Sequence, residues 1–230
     1  MDISCKLAIL DSLSNLNNCS IIKMPANFPE SIKIGDDVDI LSSDLDLSIA
    51  SLIKHLNKFN LFSILVRRTK TYSHLDLYIK SKFIYRFDII KSFTHFQRLR
   101  IKNRFISDLI ESSVYRTISL SGQTFVLRVP NSFYESLMRL IEYSEYYWVG
   151  PDKIQHLNYI LDSQIASDKY FLALHDYTKI SEEIAPIPRA TFYDKFKGDV
   201  SRVYVAFKAL PWRLWPQKTL QLILKVLGHS

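Results

Sequence analysis

Apolar residues recur at helical spacing in the opening stretch DISCKLAILDSLSNL, where Ile3, Leu7, Leu10 and Leu13 share one face, so an amphipathic helix is expected over residues 2–16. The cluster from Asn15 to Asn18 ends it. CSIIKM then reads as a short strand stopped by Pro25, followed by an irregular loop with two prolines that runs to Gly35. In DVDIL the pattern changes to strict alternation: Val38 and Ile40 fall on one face, Asp37 and Asp39 on the other. Ser42 or Ser43 is the expected cap of a helix whose Leu45, Ile49, Leu52, Ile53 and Leu56 form an apolar stripe. Strands are expected at 62–69, 74–80 and 83–90, the last two joined through Ser81 and Lys82 as a hairpin.

Beyond Phe93 the character shifts. A basic helix is expected over 98–112, a second hairpin over 114–129 turning at Ser121 and Gly122, and a helix in FYESLMRLIEYSEYY capped by Ser132. Asp152 is placed to cap a further helix, and residues 165–178 continue in helical pattern. The expected class is therefore α+β: a small mixed sheet with covering helices over residues 1–95, then a mainly helical half over 96–230 that carries the 114–129 hairpin and packs on the first. At the far end, Trp212 and Trp215 precede a helix with Leu220, Ile223, Leu224 and Leu227 in one stripe. Such a segment over 212–227 suits either the protein's own core or peripheral contact with a membrane surface.

Composition narrows the classes. With 47% hydrophobic and 23% charged residues, 5 Gly and 8 Pro, the chain can bury a core and is neither collagen-like nor wholly disordered. Cys5 and Cys19 are too few for a disulfide framework and lack zinc-site spacing, which fits a reducing compartment. No run nears the roughly 20 apolar residues that span a bilayer, and the opening residues lack a secretory pattern, so a cytoplasmic location, peripheral to the inner membrane at most, is expected. The net charge of +7 is unevenly spread: residues 67–104 hold eleven Lys or Arg against Asp76 and Asp88. That basicity points to an anionic partner. Nucleic acid is not the expected one, since no motif for it appears and the aromatics alternate as strand packing requires.

Two features could carry chemistry. Asp37 and Asp39, aligned on one strand face, repel each other unless a cation lies between them, and Mg²⁺ fits a site of one or two carboxylates plus substrate phosphates. In HLDLYI, His74 and Asp76 share a strand face, which offers Asp76 as a third carboxylate and His74 as a catalytic neighbour; Asp88 in YRFDII competes with Asp76 for that role. Lys23, Arg67 and Arg68 stand where they could reach a phosphate.

A D-h-D strand, a helix and a later strand with a third carboxylate resemble the signature of the nucleotidyltransferase fold shared with polymerase-beta-like enzymes. More narrowly, the order IIKMP, IGDDVDIL, HLDLYI, QTFVLRVPNSFYESLMRLIEY and GPDKIQHL is similar to nucleotidyltransferase-like proteins of bacterial capsule and lipopolysaccharide biosynthesis. The resemblance implies metal ligation by Asp37, Asp39 and Asp76, with Mg²⁺ or alternatively Mn²⁺ as cofactor. It also implies nucleotide contacts near Gly35, a nucleotide or nucleotide-sugar donor and a saccharide acceptor. One departure stands: the Gly-Ser pair that the family sets about ten residues before D-h-D is missing, and Gly35 directly precedes Asp36 instead. A non-catalytic nucleotide- or partner-binding module on the same fold is the alternative.

Overall fold

Five strands, β1 (Cys19–Ile22), β2 (Asp37–Ser42), β3 (Ser63–Arg68), β4 (Tyr72–Ile79) and β5 (Lys82–Ile90), pair into one mixed sheet in the order β1-β2-β5-β4-β3. This is a computed structural model, and it describes residues 1–25, 27–94, 96, 99–146 and 168–179. β2 and β5 run parallel; the other neighbours are antiparallel. A parallel pair needs a long connection, here supplied by α2 (Leu45–Asn57) with the β3 and β4 strands. The architecture is α+β, as the pattern of the chain predicts.

Strand alternation gives the sheet two unlike faces. Val38, Ile40, Leu75, Leu77, Tyr85, Phe87 and Ile89 are buried on one of them, in a core shared with α1 (Ile3–Ser14) through Ile9, Leu10 and Leu13 and with α2 through Leu45, Leu52 and Leu56. The opposite face carries Asp37, Asp39, Arg86, Asp88, His74, Asp76 and Arg67, because each is one residue out of phase with that apolar set.

Local chemistry sets the element ends. Asp44 caps α2: its Oδ1 accepts from the backbone N–H groups of Asp46 at 2.9 Å and Leu47 at 3.2 Å. Ser42 and Ser43, the expected caps, are committed elsewhere, Ser42 to Ser48 Oγ and the Asp44 carbonyl, Ser43 to the Asn18 carbonyl. The β4-β5 hairpin turns at Lys80 and Ser81 with φ of 48° and 64°, one residue before the predicted pair. Positive φ at both central residues matches the right-handed strand twist.

The chain divides into two compact units, residues 1–94 with 103–135, and residues 95–102 with 136–230. The expected division at residue 95 lies beside the first break, and residues 103–135 return to the first unit. α3 (Asn103–Glu111) and the hairpin of β6 (Val114–Leu120) and β7 (Gln123–Val129) belong to the first unit, where Ile118, Phe125 and Leu127 join the core beneath the sheet. That hairpin turns as predicted at Ser121 and Gly122, with φ of 50° and 77°. α3 starts later than predicted, because residues 99–102 hydrogen-bond instead to the 177–179 segment, Lys102 N–H to Tyr177 O at 2.8 Å and Lys179 N–H to Leu99 O at 3.0 Å.

α4 (Ser132–Tyr146) is capped by Asn131, whose Oδ1 accepts from Tyr134 N–H at 3.1 Å, rather than by Ser132. In the second unit, α5 (Asp168–Tyr177) matches the late helical pattern. The helix after Asp152 and the segment 212–227 lie outside the described residues. Among those residues no helix is long and apolar enough to cross a membrane, and both cysteines are free and buried.

Candidate active site on the polar face of the sheet

Register turns the polar face into rows. Asp39 on β2 opposes Asp88 on β5, which opposes His74 on β4, which opposes Arg67 on β3; the adjoining row runs Asp37, Arg86, Asp76, Leu65. Opposed residues on adjacent strands lie about 5 Å apart. The structure therefore brings Asp37, Asp39 and Asp88 together, and it leaves Asp76 two strands away from Asp39.

Asp76 has another occupation. Its side chain is 0% exposed; Arg67 Nη2 donates to Oδ2 at 2.6 Å and Arg86 Nε to Oδ1 at 2.6 Å. Burial by itself would push this carboxyl up, but the hydrogen bonds and charges of Arg86 and Arg67 outweigh it and hold the group below the usual carboxylate range. Both oxygens are spent on guanidinium groups. As placed, Asp76 is a buried ion-pair anchor that joins three strands, and Asp88 is the carboxylate that stands opposite Asp39.

Asp88 is only partly exposed, and its Oδ1 is held by His74 Nδ1. His74 Nε2 in turn meets the Tyr72 hydroxyl, with the two rings edge to face at 4.4 Å. With Asp88 ionised, Nδ1 must carry the proton and donate it. Burial pushes the Asp88 carboxyl up, the His74 contact pulls it back, and the nearby charges of Asp39 and Asp37 push it up further. Arg86 Nε, 3.9 Å from Asp88 Oδ1, links the two rows. Sequence reasoning did not single out Tyr72 or Arg86, although each sits two residues from a chosen one and so on the same face.

The expected phosphate contacts are placed as follows. Lys23, with φ of 55° just past β1, forms an ion pair with Asp39. Arg67 serves Asp76, and Arg68 reaches to Asp46 at the start of α2, away from the acidic row. Gly35 has φ of 96°, which favours glycine, but its N–H donates to the Ile84 carbonyl at 2.9 Å and so is not free to cradle a phosphate. With Asp36 O accepting from Arg86 N–H at 3.1 Å, that bond docks the entry of β2 against β5.

For a divalent ion, Asp37, Asp39 and Asp88 supply the negative charge, and no hydrogen bond or ion pair engages the exposed Asp37 among the described residues. Among those residues no group of three or more His, Cys, Asp or Glu side chains is set as a ready-made metal cage. This donor set fits Mg²⁺ as an ion held by two carboxylates and completed by substrate oxygens, provided Lys23 releases Asp39.

No family model matches the chain, and no curated protein matches it. Two crystal structures resemble it weakly. One, from H. pylori, carries a provisional nucleotidyltransferase description; it superposes with a TM-score of 0.33 at 8% identity, covering 97% of this chain and 94% of the other. The second, JHP933 from Helicobacter pylori, gives a TM-score of 0.33 and 8% identity over 98% of this chain and 95% of its own. Likeness at this level settles neither fold family nor function.

Proposed function

We propose that this chain is a metal-dependent transferase of nucleotidyltransferase type, with Asp37, Asp39 and Asp88 as its reacting carboxylates. A single observation carries the reading: Asp39 and Asp88 are register partners on adjacent parallel strands, with Asp37 two residues along on the same face. Asp37 and Asp39 would hold Mg²⁺, or Mn²⁺, whose charge stabilises the negative charge that develops on a transferring phosphoryl group. Asp88, raised toward protonation, accepts the proton of an acceptor hydroxyl, and His74 with Tyr72 fixes its orientation. Lys23 passes from Asp39 to a substrate phosphate. The donor in this proposal is a nucleotide or nucleotide-sugar and the acceptor a saccharide, in bacterial capsule or lipopolysaccharide assembly. A peripheral membrane contact through residues 212–227 belongs to the same proposal; liposome flotation with and without residues 210–230 tests it.

The ion pair of Lys23 with Asp39, together with the missing Gly-Ser element, favours a second reading, a nucleotide- or partner-binding module without chemistry. Thermal melts with nucleoside triphosphates and sugar nucleotides separate the two. A ligand at 100 times its Kd adds about 2.7 kcal/mol of stability. The catalytic reading expects a shift that requires Mg²⁺ or Mn²⁺ and vanishes in Asp37→Asn and Asp39→Asn. A metal-independent shift that survives both substitutions supports the module, and no shift with any nucleotide rejects the catalytic reading and leaves the module only as one that binds another partner.

A further inference from the structure

A cavity of about 540 Å³ opens where β2 and β5 end, and the acidic row does not reach it. Ser42 lies three residues past Asp39 and Lys91 three past Asp88, so its wall is about 10 Å further along each strand. Leu41 and Ile90, register partners and both buried, stand between the two places. One side of α3 forms a wall through positions 103, 106, 107, 110 and 111, the spacing of a single helical face. The volume falls within the roughly 300–1,000 Å³ of small-molecule sites.

Charge distinguishes this cavity. Lys70, Lys91 and Arg128 line it against one acid, Glu111. Most of the neighbouring cations are already spent: Lys23 on Asp39, Arg68 on Asp46, Arg67 and Arg86 on Asp76. The ammonium groups of Lys70 and Lys91 have no hydrogen bond or ion pair among the described residues, although each belongs to the basic stretch that the sequence marks out. Arg128 is anchored, since its Nη2 donates to the Ile110 carbonyl at 2.5 Å, which uses one of its five N–H groups. Three cations gathered around one concavity, of which Lys91 is also within electrostatic reach of Asp46, raise the local potential for an anion.

We infer that this cavity binds a small phosphorylated molecule. The phosphate lies among Lys70, Lys91 and Arg128, where charge-assisted hydrogen bonds are strongest, and the hydroxyl-bearing remainder meets Glu111, Asn103 and Ser107. The site is independent of the metal-dependent reading, because it uses none of Asp37, Asp39 or Asp88.

The test is isothermal titration of the full chain with inorganic pyrophosphate and with glucose 1-phosphate, in EDTA so that no divalent ion takes part. Saturable binding is expected, weakened about 10-fold or more in the Lys70→Gln/Lys91→Gln variant, which removes two exposed charges from the phosphate's surroundings. Both lysines are exposed, so that variant should melt like the parent. Asp39→Asn should leave the affinity unchanged. Absence of saturation, or an affinity indifferent to the lysine substitutions, overturns the inference. So does binding of a single-stranded oligonucleotide with none of pyrophosphate, which would assign the basic wall to a polymer.

Discussion

Asp76→Ala separates a structural carboxylate from a reacting one. The substitution deletes a side chain that is 0% exposed and leaves Arg86, 29% exposed, and Arg67, 54% exposed, without their anion. Removing one partner of a buried ion pair typically costs about 3–5 kcal/mol. Arg67 can turn into water at a cost of about 1 kcal/mol or less, and Arg86 reaches water in part, so the low end applies: about 3 kcal/mol. In a protein of this size each kcal/mol moves Tm by about 2–4 °C, which gives a drop of about 6–12 °C. Urea unfolding should show the same loss at its midpoint with an unchanged slope. The pH dependence carries a sign. A carboxyl held below its ordinary value of about 3.9 contributes stability above that pH and loses it as pH falls through the lowered value. The parent's melt should therefore fall more steeply than the variant's on acidification below about pH 4. The reasoning is refuted if Asp76→Ala melts like the parent yet loses metal-dependent nucleotide binding, since Asp76 would then be a ligand and not an anchor.

Three further outcomes are expected. Asp88 has the opposite sign: a raised carboxyl binds its proton more readily folded than unfolded, so its contribution declines as pH rises from the ordinary carboxylate range through the raised value. Asp88→Asn should flatten that decline in melts taken upward in pH from the ordinary carboxylate range, and an unaltered pH profile would count against the burial argument. Leu127→Ala, at a 0% exposed core position of the second hairpin, should cost about 2–5 kcal/mol in urea unfolding, whereas a hairpin outside the first unit's core would lose little. Ser81→Gly relieves a non-glycine residue at φ of 64°, and a gain of about 0.5–1 kcal/mol in thermal unfolding is expected; a loss would mean the turn is not strained there.

The elements of the first unit were legible in the sequence because their signals are local. Alternation in DVDIL identifies both a strand and its acidic face, and the stripe from Leu45 to Leu56 identifies α2. The second hairpin was legible as a hairpin, but not its allegiance, since nothing local says that Ile118, Phe125 and Leu127 close the core of the first unit. The choice between Asp76 and Asp88 was illegible for the same reason. It depends on β5, not β4, lying beside β2, and on Arg67 and Arg86 arriving from two flanking strands to neutralise Asp76. The basic stretch hid its division, with Arg67, Arg68 and Arg86 paired to acids and Lys70 and Lys91 left to the cavity. The cap of α2 shows the limit at small scale. Ser42 and Ser43 were the expected caps, and their hydrogen bonds to other partners left the position to Asp44.

The most direct measurement of the acidic row is Mn²⁺ binding followed by electron paramagnetic resonance, with a nucleoside triphosphate present. One bound ion is predicted for the parent, lost in Asp37→Asn and in Asp39→Asn and retained in Asp76→Asn below its melting temperature. Full occupancy in the first two variants, or loss confined to the third, would contradict the assignment.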